Sequence, residues 1–236
     1  MALFTPSTPR MSRTLRVLAH LLRYPGGALR AHLGELGAAL HAERALGAAR
    51  LAELDALIDQ LGRLPAYDVE AAYVELFDRG RSSSLNLFEH VHGESRERGA
   101  AMVALAQTYE QAGLQLQPGQ LPDYLPVALE YASTQPAARS RAFLAEFAHL
   151  LRIVFSALLR RGSPYASVLA ALLDLAGERA EKVELPEEPP LDETWAEPAA
   201  FDGCSSAGQS RPPGSAAAQP IRIVKPQRAD AQGARP

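Results

Sequence analysis

Cysteine is almost absent from this 236-residue sequence, which contains only Cys204. A single cysteine excludes an intramolecular disulfide framework and favours a reducing compartment. The first residues, MALFTPSTPRMSR, lack the apolar core of a secretory signal. No uninterrupted apolar run approaches the ~18 residues that a membrane span needs. These absences together predict a soluble, cytoplasmic protein without stable membrane insertion.

An excess of basic charge is also missing. Lys and Arg number 24 against 27 Asp and Glu, which gives a formal net charge of −3. This balance argues against a nucleic-acid-binding protein, because such proteins carry a basic patch that matches the phosphate backbone. Apolar residues make up 47% of the chain, which is ample for a hydrophobic core.

Signals of an enzyme active site are missing as well. Ser82–Ser84 are not flanked by the glycines of a nucleophile elbow, and no glycine-rich loop ends in Lys-Ser or Lys-Thr. His90 and His92 are two residues apart, which does not match the spacing of helical zinc ligands. The sequence therefore predicts a non-enzyme with no metal or cofactor of its own. A helical metalloenzyme is the alternative that elemental analysis of the purified protein would test.

Helical periodicity is what the sequence has in abundance. Apolar residues recur at helical spacing, no strand-period segment is present, and Pro-Gly clusters such as Tyr24–Gly27 mark helix ends. The pattern predicts an all-α fold, a single-domain helical bundle of seven to eight helices over residues 12–183. The run Phe143–Leu159 is apolar on most sides, so we expect it in the middle of the bundle.

The two ends of the chain differ from this helical region in composition. Residues 1–11 contain two prolines and are expected to form a flexible arm. Residues 184–204 form an acidic, proline-rich segment in which Trp195 and Phe201 are candidate anchors. Residues 205–236 are rich in Gly, Ser, Ala, Pro and Gln, which is typical of a disordered tail.

Three motifs between Asp68 and Ser133 carry a family resemblance. The first is Glu70-x-x-Tyr73-x-x-Leu76-Phe77, and the second is the His92-Gly93-Glu94-Ser95-Arg96-x-Arg98-Gly99 run that ends the stretch from Leu85. The third is Leu121-Pro122-Asp123-Tyr124-Leu125-Pro126-x-x-Leu129-Glu130. Together they resemble the NarJ family of assembly chaperones for respiratory nitrate reductase, within the TorD/DmsD superfamily of redox-enzyme maturation proteins. The resemblance covers residues 12 to 204.

The resemblance implies a system-specific cytoplasmic chaperone with a fixed client. The partner would be the apo catalytic subunit of nitrate reductase, bound through its N-terminal segment. Binding would last while the molybdenum cofactor and an iron–sulfur cluster are inserted, before membrane docking. Molybdenum cofactor biosynthesis proteins would be further partners. The alternative is a maturation chaperone for another molybdoenzyme of the DMSO reductase family that recognises a twin-arginine signal peptide.

Candidate client-binding residues lie in the same stretch: Tyr73, Phe77, Asp123, Tyr124, Leu125 and Glu130. Residues 68–132 contain ten acids and four arginines, a net charge of −6. Carboxylates beside an apolar groove suit a basic amphipathic helix. Other readings stay open: Tyr73 and Phe77 as core, Asp123 as the cap of a helix that starts near Tyr124, and Glu130 as solvated surface.

Four arginines, Arg79, Arg81, Arg96 and Arg98, surround one loop of this stretch. They are candidates for holding an anion, either the phosphate of a molybdopterin cofactor or an acidic patch on the client. Ordinary surface ion pairs with neighbouring acids are the alternative. In the tail, the apolar and basic segment Ile221–Lys225 is hypothesised to compete with the client for the acidic groove.

Overall fold

The computed structural model describes residues 10–92 and 96–185. Most of the predicted flexible arm, the acidic segment with Trp195 and Phe201, and the tail with Ile221–Lys225 therefore lie outside the described residues. Within the arm, Met11 is described and is buried at the start of the first helix.

The described chain is all-α, which confirms the predicted fold class. The only β feature in these ranges is an isolated bridge between Asn86 and Tyr124. The α-helices are α1 (Ser12–Leu21), α2 (Gly27–Ala31), α3 (Leu33–Glu43), α4 (Ala48–Arg63), α5 (Ala66–Tyr73), α6 (Glu89–His92), α7 (Arg96–Gln111), α8 (Leu125–Thr134), α9 (Ala137–Glu146), α10 (Ala148–Arg160) and α11 (Ala166–Ala176). A π-helical turn (Val74–Asp78) extends α5, and a 3-10 turn (Arg81–Ser83) follows it.

The predicted count of seven to eight helices is wrong, because the described residues form eleven α-helices. The apolar periodicity of the sequence continues across two positions at which the helical backbone is interrupted. One break is at His32, between α2 and α3, and the other is a bend of 67° between α9 and α10 at Phe147. Periodicity records which residues are buried, so it does not reveal a change of axis when both segments bury the same stripe.

The centre of the bundle is α11. Ten of its eleven residues are buried, and its small residues, such as Ala170 and Ala171, allow α4, α9, α10 and α1 to approach it. The predicted central run, now α9 and α10, packs against α11. No single described helix is long and apolar enough to cross a membrane, although α9 and α10 would meet that criterion as a bent pair.

The pairing of α1 with α8 positions the candidate site. Leu15 and Leu18 of α1 are fully buried, as is Leu129 of α8. At one end of the pair the Ser12 hydroxyl donates to the Ser133 carbonyl at 2.5 Å, and Arg16 Nε donates to Ser133 Oγ at 3.2 Å. These contacts hold the two helices together, so they can form the two walls of a groove.

Candidate functional site

A cavity of about 280 Å³ lies between α1, α8 and the segment that connects α7 to α8. Its apolar surface comes from Tyr109, Val127 and Tyr131, while polar and charged groups surround them. The complete lining consists of Arg16, His20, Tyr109, Leu114, Gln115, Leu116, Gln120, Val127, Glu130, Tyr131, Ser133 and Thr134.

A second cavity, of about 440 Å³, continues the first one. The two share Gln120 and Val127 as lining residues, so they adjoin. The second cavity is also lined by Arg23, Tyr24, Asn86, Gly119, Leu121 and Tyr124. We call the two cavities together the α1/α8 groove.

Two of the six predicted client-binding residues line this groove. Glu130 of α8 is half-buried and forms an ion pair with Arg23, which follows α1 on the opposite wall. Tyr124 is half-buried at the start of α8, where its bridge to Asn86 attaches the loop before α6 to the groove. The structure therefore places these two side chains where a bound segment can reach them.

Tyr73, Phe77 and Leu125 are buried and do not line the groove. The Tyr73 hydroxyl donates to the Leu22 carbonyl at 2.8 Å, and burial, with the neighbouring Tyr124, raises the pKa of Tyr73. Its ring lies 4.8 Å from that of Phe77, which packs in turn on Tyr165 at 5.1 Å between centroids. These contacts match the alternative in which Tyr73 and Phe77 belong to the hydrophobic core. A client contact at these three residues stays a prediction, and it would require the core to open.

Asp123 is completely buried, and a client contact at this residue stays a prediction. It does not cap α8, whose N-cap residue is Tyr124 and which has no side-chain cap, and its carboxylate is not exposed at the rim of the groove. Its Oδ2 accepts a hydrogen bond from the Phe88 backbone N–H at 3.2 Å and pairs with Arg98 Nη2 at 3.5 Å. A buried charge needs such partners, which the fold supplies from α7 and from the residue before α6.

Arg98 belongs to this network of ion pairs, and its contact with a bound anion stays a prediction. It pairs with Glu89 at 3.3 Å as well as with Asp123. Burial acts to raise the pKa of Glu89, but hydrogen bonds from Ser84 and Asn86 and the charge of Arg98 outweigh it and hold that pKa below its usual range. The alternative of ordinary ion pairing therefore describes Arg98.

Arg79 and Arg81 do not gather around Arg98 in the described structure. Arg79 forms an exposed pair with Glu75 at 3.3 Å, and Arg81 is exposed at the start of the 3-10 turn. The side chain of Arg96 lies outside the described residues. Contact of Arg79, Arg81 or Arg96 with an anion stays a prediction.

The charge of the groove differs from the expected acidic rim. Glu130 is the one acid among the lining residues given above, and Arg16 and Arg23 lie with it. Glu70, another of the ten acids, lies outside the groove and accepts a hydrogen bond from the Tyr24 hydroxyl at 2.9 Å. Glu130 is thus paired and Glu70 lies elsewhere, so the surface of the groove is chiefly apolar and hydrogen-bonding.

His90 has no metal-site geometry, and the side chain of His92 lies outside the described residues. His90 Nε2 lies 2.8 Å from the Ser84 carbonyl, which is a loop contact. No group of three or more His, Cys, Asp or Glu side chains that could hold a metal ion is present in residues 10–92 and 96–185.

Comparison with known proteins identifies the family. Residues 30–171 match the family described as nitrate reductase delta subunit. The chain is 39% identical over 228 residues to the nitrate reductase molybdenum cofactor assembly chaperone NarJ of Escherichia coli strain K12, covering 89% of this chain and 97% of the relative. The chain belongs to the NarJ family. The resemblance carried by the three motifs is thereby confirmed.

Further matches to this NarJ-family chain agree with that assignment. It is 32% identical over 163 residues to the probable NarJ chaperone of Bacillus subtilis strain 168, covering 68% of this chain and 86% of the relative. A crystal structure from Archaeoglobus fulgidus, described as a redox enzyme maturation protein, aligns with a TM-score of 0.50 at 19% identity, covering 75% of this chain and 98% of that chain. The structural match concerns the fold alone.

Proposed function

We propose that this NarJ-family chain is a nitrate reductase assembly chaperone that binds the N-terminal segment of the apo catalytic subunit in the α1/α8 groove. The observation that carries the proposal is the groove itself, a cleft with an apolar floor that is lined by Tyr124 and Glu130 of the family motif. Membership in the NarJ family supports the class of client. Binding would last through insertion of the molybdenum cofactor and an iron–sulfur cluster, and would end before membrane docking.

The groove suits one face of an amphipathic helix. Helix-in-groove recognition places a few apolar side chains, spaced by one helical turn, onto an apolar floor. Val127, Tyr131 and Tyr109 supply such a floor, while Gln120, Ser133 and Thr134 offer hydrogen-bonding groups around it. The cavity of about 280 Å³ lies near the lower end of the range for ligand pockets, so it accepts apolar side chains of the client and not a whole helix.

We propose in addition that the chain acts in the cytoplasm, catalyses no reaction and holds no cofactor of its own. The names of the relatives, which describe assembly chaperones, support this role. Molybdenum cofactor biosynthesis proteins are proposed as further partners that would meet the chaperone–client complex.

Titration calorimetry with the full chain and a synthetic peptide of the client N-terminal segment tests the proposal. Wild-type chain should bind the peptide 1:1. Thr134→Trp places a large ring at an exposed position that lines the groove, so affinity should fall at least about tenfold, or ~1.4 kcal/mol. Thr108→Trp is the matched control, because Thr108 is exposed on α7 and does not line the groove.

Equal affinity in the two tryptophan variants would remove the α1/α8 groove from the proposal. If the wild-type chain does not bind this peptide but binds a twin-arginine signal peptide, the result would instead support the alternative client class. A chain that binds neither peptide would contradict the proposed function as a whole.

A further inference from the structure

The α1/α8 groove is roofed by the segment between α7 and α8. Leu114, Gln115, Leu116 and Gln120 of this segment line the cavity of about 280 Å³ in the groove. Leu114 and Leu116 are half-buried and pack against the core, whereas the intervening Gln115 is exposed. The two leucines therefore cover the apolar floor that a client side chain would use.

Glycines with positive φ stand at both ends of this roof. Gly113 has φ +78° and Gly119 has φ +85°, and a Cβ at either position would meet nothing within 4 Å. Glycine is therefore favoured at these two positions because of the positive φ, and not because a side chain would clash with a neighbour. Residues of this kind can absorb the change in backbone angles that a moving segment needs.

The ends of the roof are pinned by one buried residue. The backbone carbonyl of Tyr109 accepts a hydrogen bond from the Leu114 N–H at 3.0 Å, and the Tyr109 hydroxyl donates to the Pro122 carbonyl at 2.9 Å. Tyr109 is only 2% exposed. The points at which the roof leaves the bundle are thus held in place.

The interior of the roof is bonded mainly to itself. The Gln117 N–H donates to Gln120 Oε1 and the Gln120 N–H donates to the Gln117 carbonyl, both at 3.0 Å. These bonds close a turn that includes Gly119, so a rotation of the backbone at Gly119 opens them while Gln120 stays in place. Leu114 and Leu116 pack against the hydrophobic core and attach this segment to the bundle.

We propose that Gly113–Gly119 is a lid, hinged at its two glycines, whose Leu114 and Leu116 cover the groove floor in the free chain and move off it when a client segment enters. This inference rests on the proposed function for the identity of the client but not for the movement itself. When only a fraction of the chains has an uncovered floor, the apparent affinity for the client is reduced in proportion to that fraction. Removing the cover therefore raises the apparent affinity.

Client binding tests the lid through the direction in which the affinity for the client peptide changes. In the full chain, Leu114→Ala/Leu116→Ala should bind the client peptide at least about threefold more tightly, through faster association, because the open fraction rises. Leu36→Ala is the control, since Leu36 is another half-buried leucine packed against the core and it lies outside the groove. Weaker binding by the double variant would show that the leucines are fixed walls, and would overturn the lid.

The hinge is tested by a matched pair of glycine variants. Gly119→Ala and Gly162→Ala place a Cβ in open space at positive φ, so they should strain the backbone to a similar extent. Only Gly119 belongs to the lid, and only its variant should slow association of the peptide several-fold. Equal association rates in the two variants would contradict the hinge.

A measurement made in the absence of a client distinguishes an incorrect lid proposal from an incorrect proposed function. In a full-length Cys204→Ser background, a thiol reagent should label Val127→Cys on the groove floor faster than Ala132→Cys in the core of the same helix. Adding Leu114→Ala/Leu116→Ala should accelerate labelling of Val127→Cys several-fold and leave Ala132→Cys unchanged. Labelling of Val127→Cys that does not respond to the two leucines overturns the lid, even if the client peptide does not bind.

Discussion

At the scale of single residues, burial separates the family motif into two roles. Tyr124 and Glu130 line the α1/α8 groove, whereas Asp123, in the same motif, has no exposed surface. Its carboxylate joins the start of α8 to the backbone before α6 and to Arg98 of α7. Asp123 therefore holds together the elements that border the groove.

Substitution of Asp123 should cost stability before it affects recognition. Asp123→Ala leaves Arg98 without one buried partner, so the free energy of unfolding should fall by about 3 kcal/mol. Asp123→Asn keeps an oxygen for the Phe88 N–H, and its loss should be smaller, about 1–2 kcal/mol. Urea denaturation of the full chain measures both. Equal stability of wild type and Asp123→Ala would show that the buried pair contributes nothing to the fold.

At the scale of elements, the connection from α5 to α6 depends on a close approach at Gly80. The π-helical turn ends there and the 3-10 turn begins, and a Cβ on Gly80 would lie 2.5 Å from both the Leu76 carbonyl oxygen and Ser83 Oγ. The Ser83 hydroxyl donates to that same carbonyl. The backbone therefore leaves no room for a side chain at this junction.

Gly80→Ala should destabilise the chain by about 1–3 kcal/mol, because overpacking must be relieved by movement of the backbone. Gly37→Ala is the matched control. Gly37 lies inside α3, where a Cβ would meet Ile58 Cδ1 at an ordinary 3.8 Å. That change should stabilise the chain by about 0.5–1 kcal/mol, since alanine loses less backbone entropy in a helix than glycine. Thermal unfolding of the two variants measures the difference, and shifts of the same sign would contradict the close approach.

At the scale of the described body, one continuous core joins the groove to the rest of the bundle. Leu18 of α1 is fully buried, and α1 packs on α3, α8 and α11. A wall of the groove is therefore also part of the central core. Loosening of α1 should propagate to the whole bundle and not to the groove alone.

Leu18→Ala should lower the free energy of unfolding by about 2–5 kcal/mol, the usual range for a buried leucine replaced by alanine. Unfolding should remain a single transition when followed by far-ultraviolet circular dichroism and by tyrosine fluorescence. Separate transitions for the two signals would show that α1 and α8 unfold apart from α9–α11, contrary to a shared core.

The sequence alone determined the fold class and the family. Helical spacing and the lack of strand-period segments predicted an all-α chain, and three motifs predicted the NarJ family. Both follow from local properties, because periodicity and residue order do not depend on what packs where. The predicted helix end at Tyr24–Gly27 also holds, because proline and glycine act on their own backbone.

Only the tertiary structure decided which motif residues face a partner. Asp123 and Glu130 are both acids of one motif, yet the first is buried beside Arg98 and the second lines the groove with Arg23. An apolar stripe on a helix indicates that one face is buried, but it does not indicate which element packs on that face. The elements that form this groove are distant in sequence, since more than a hundred residues separate α1 from α8. The groove and its lid exist because these distant segments meet, and no local pattern in the sequence specifies that meeting.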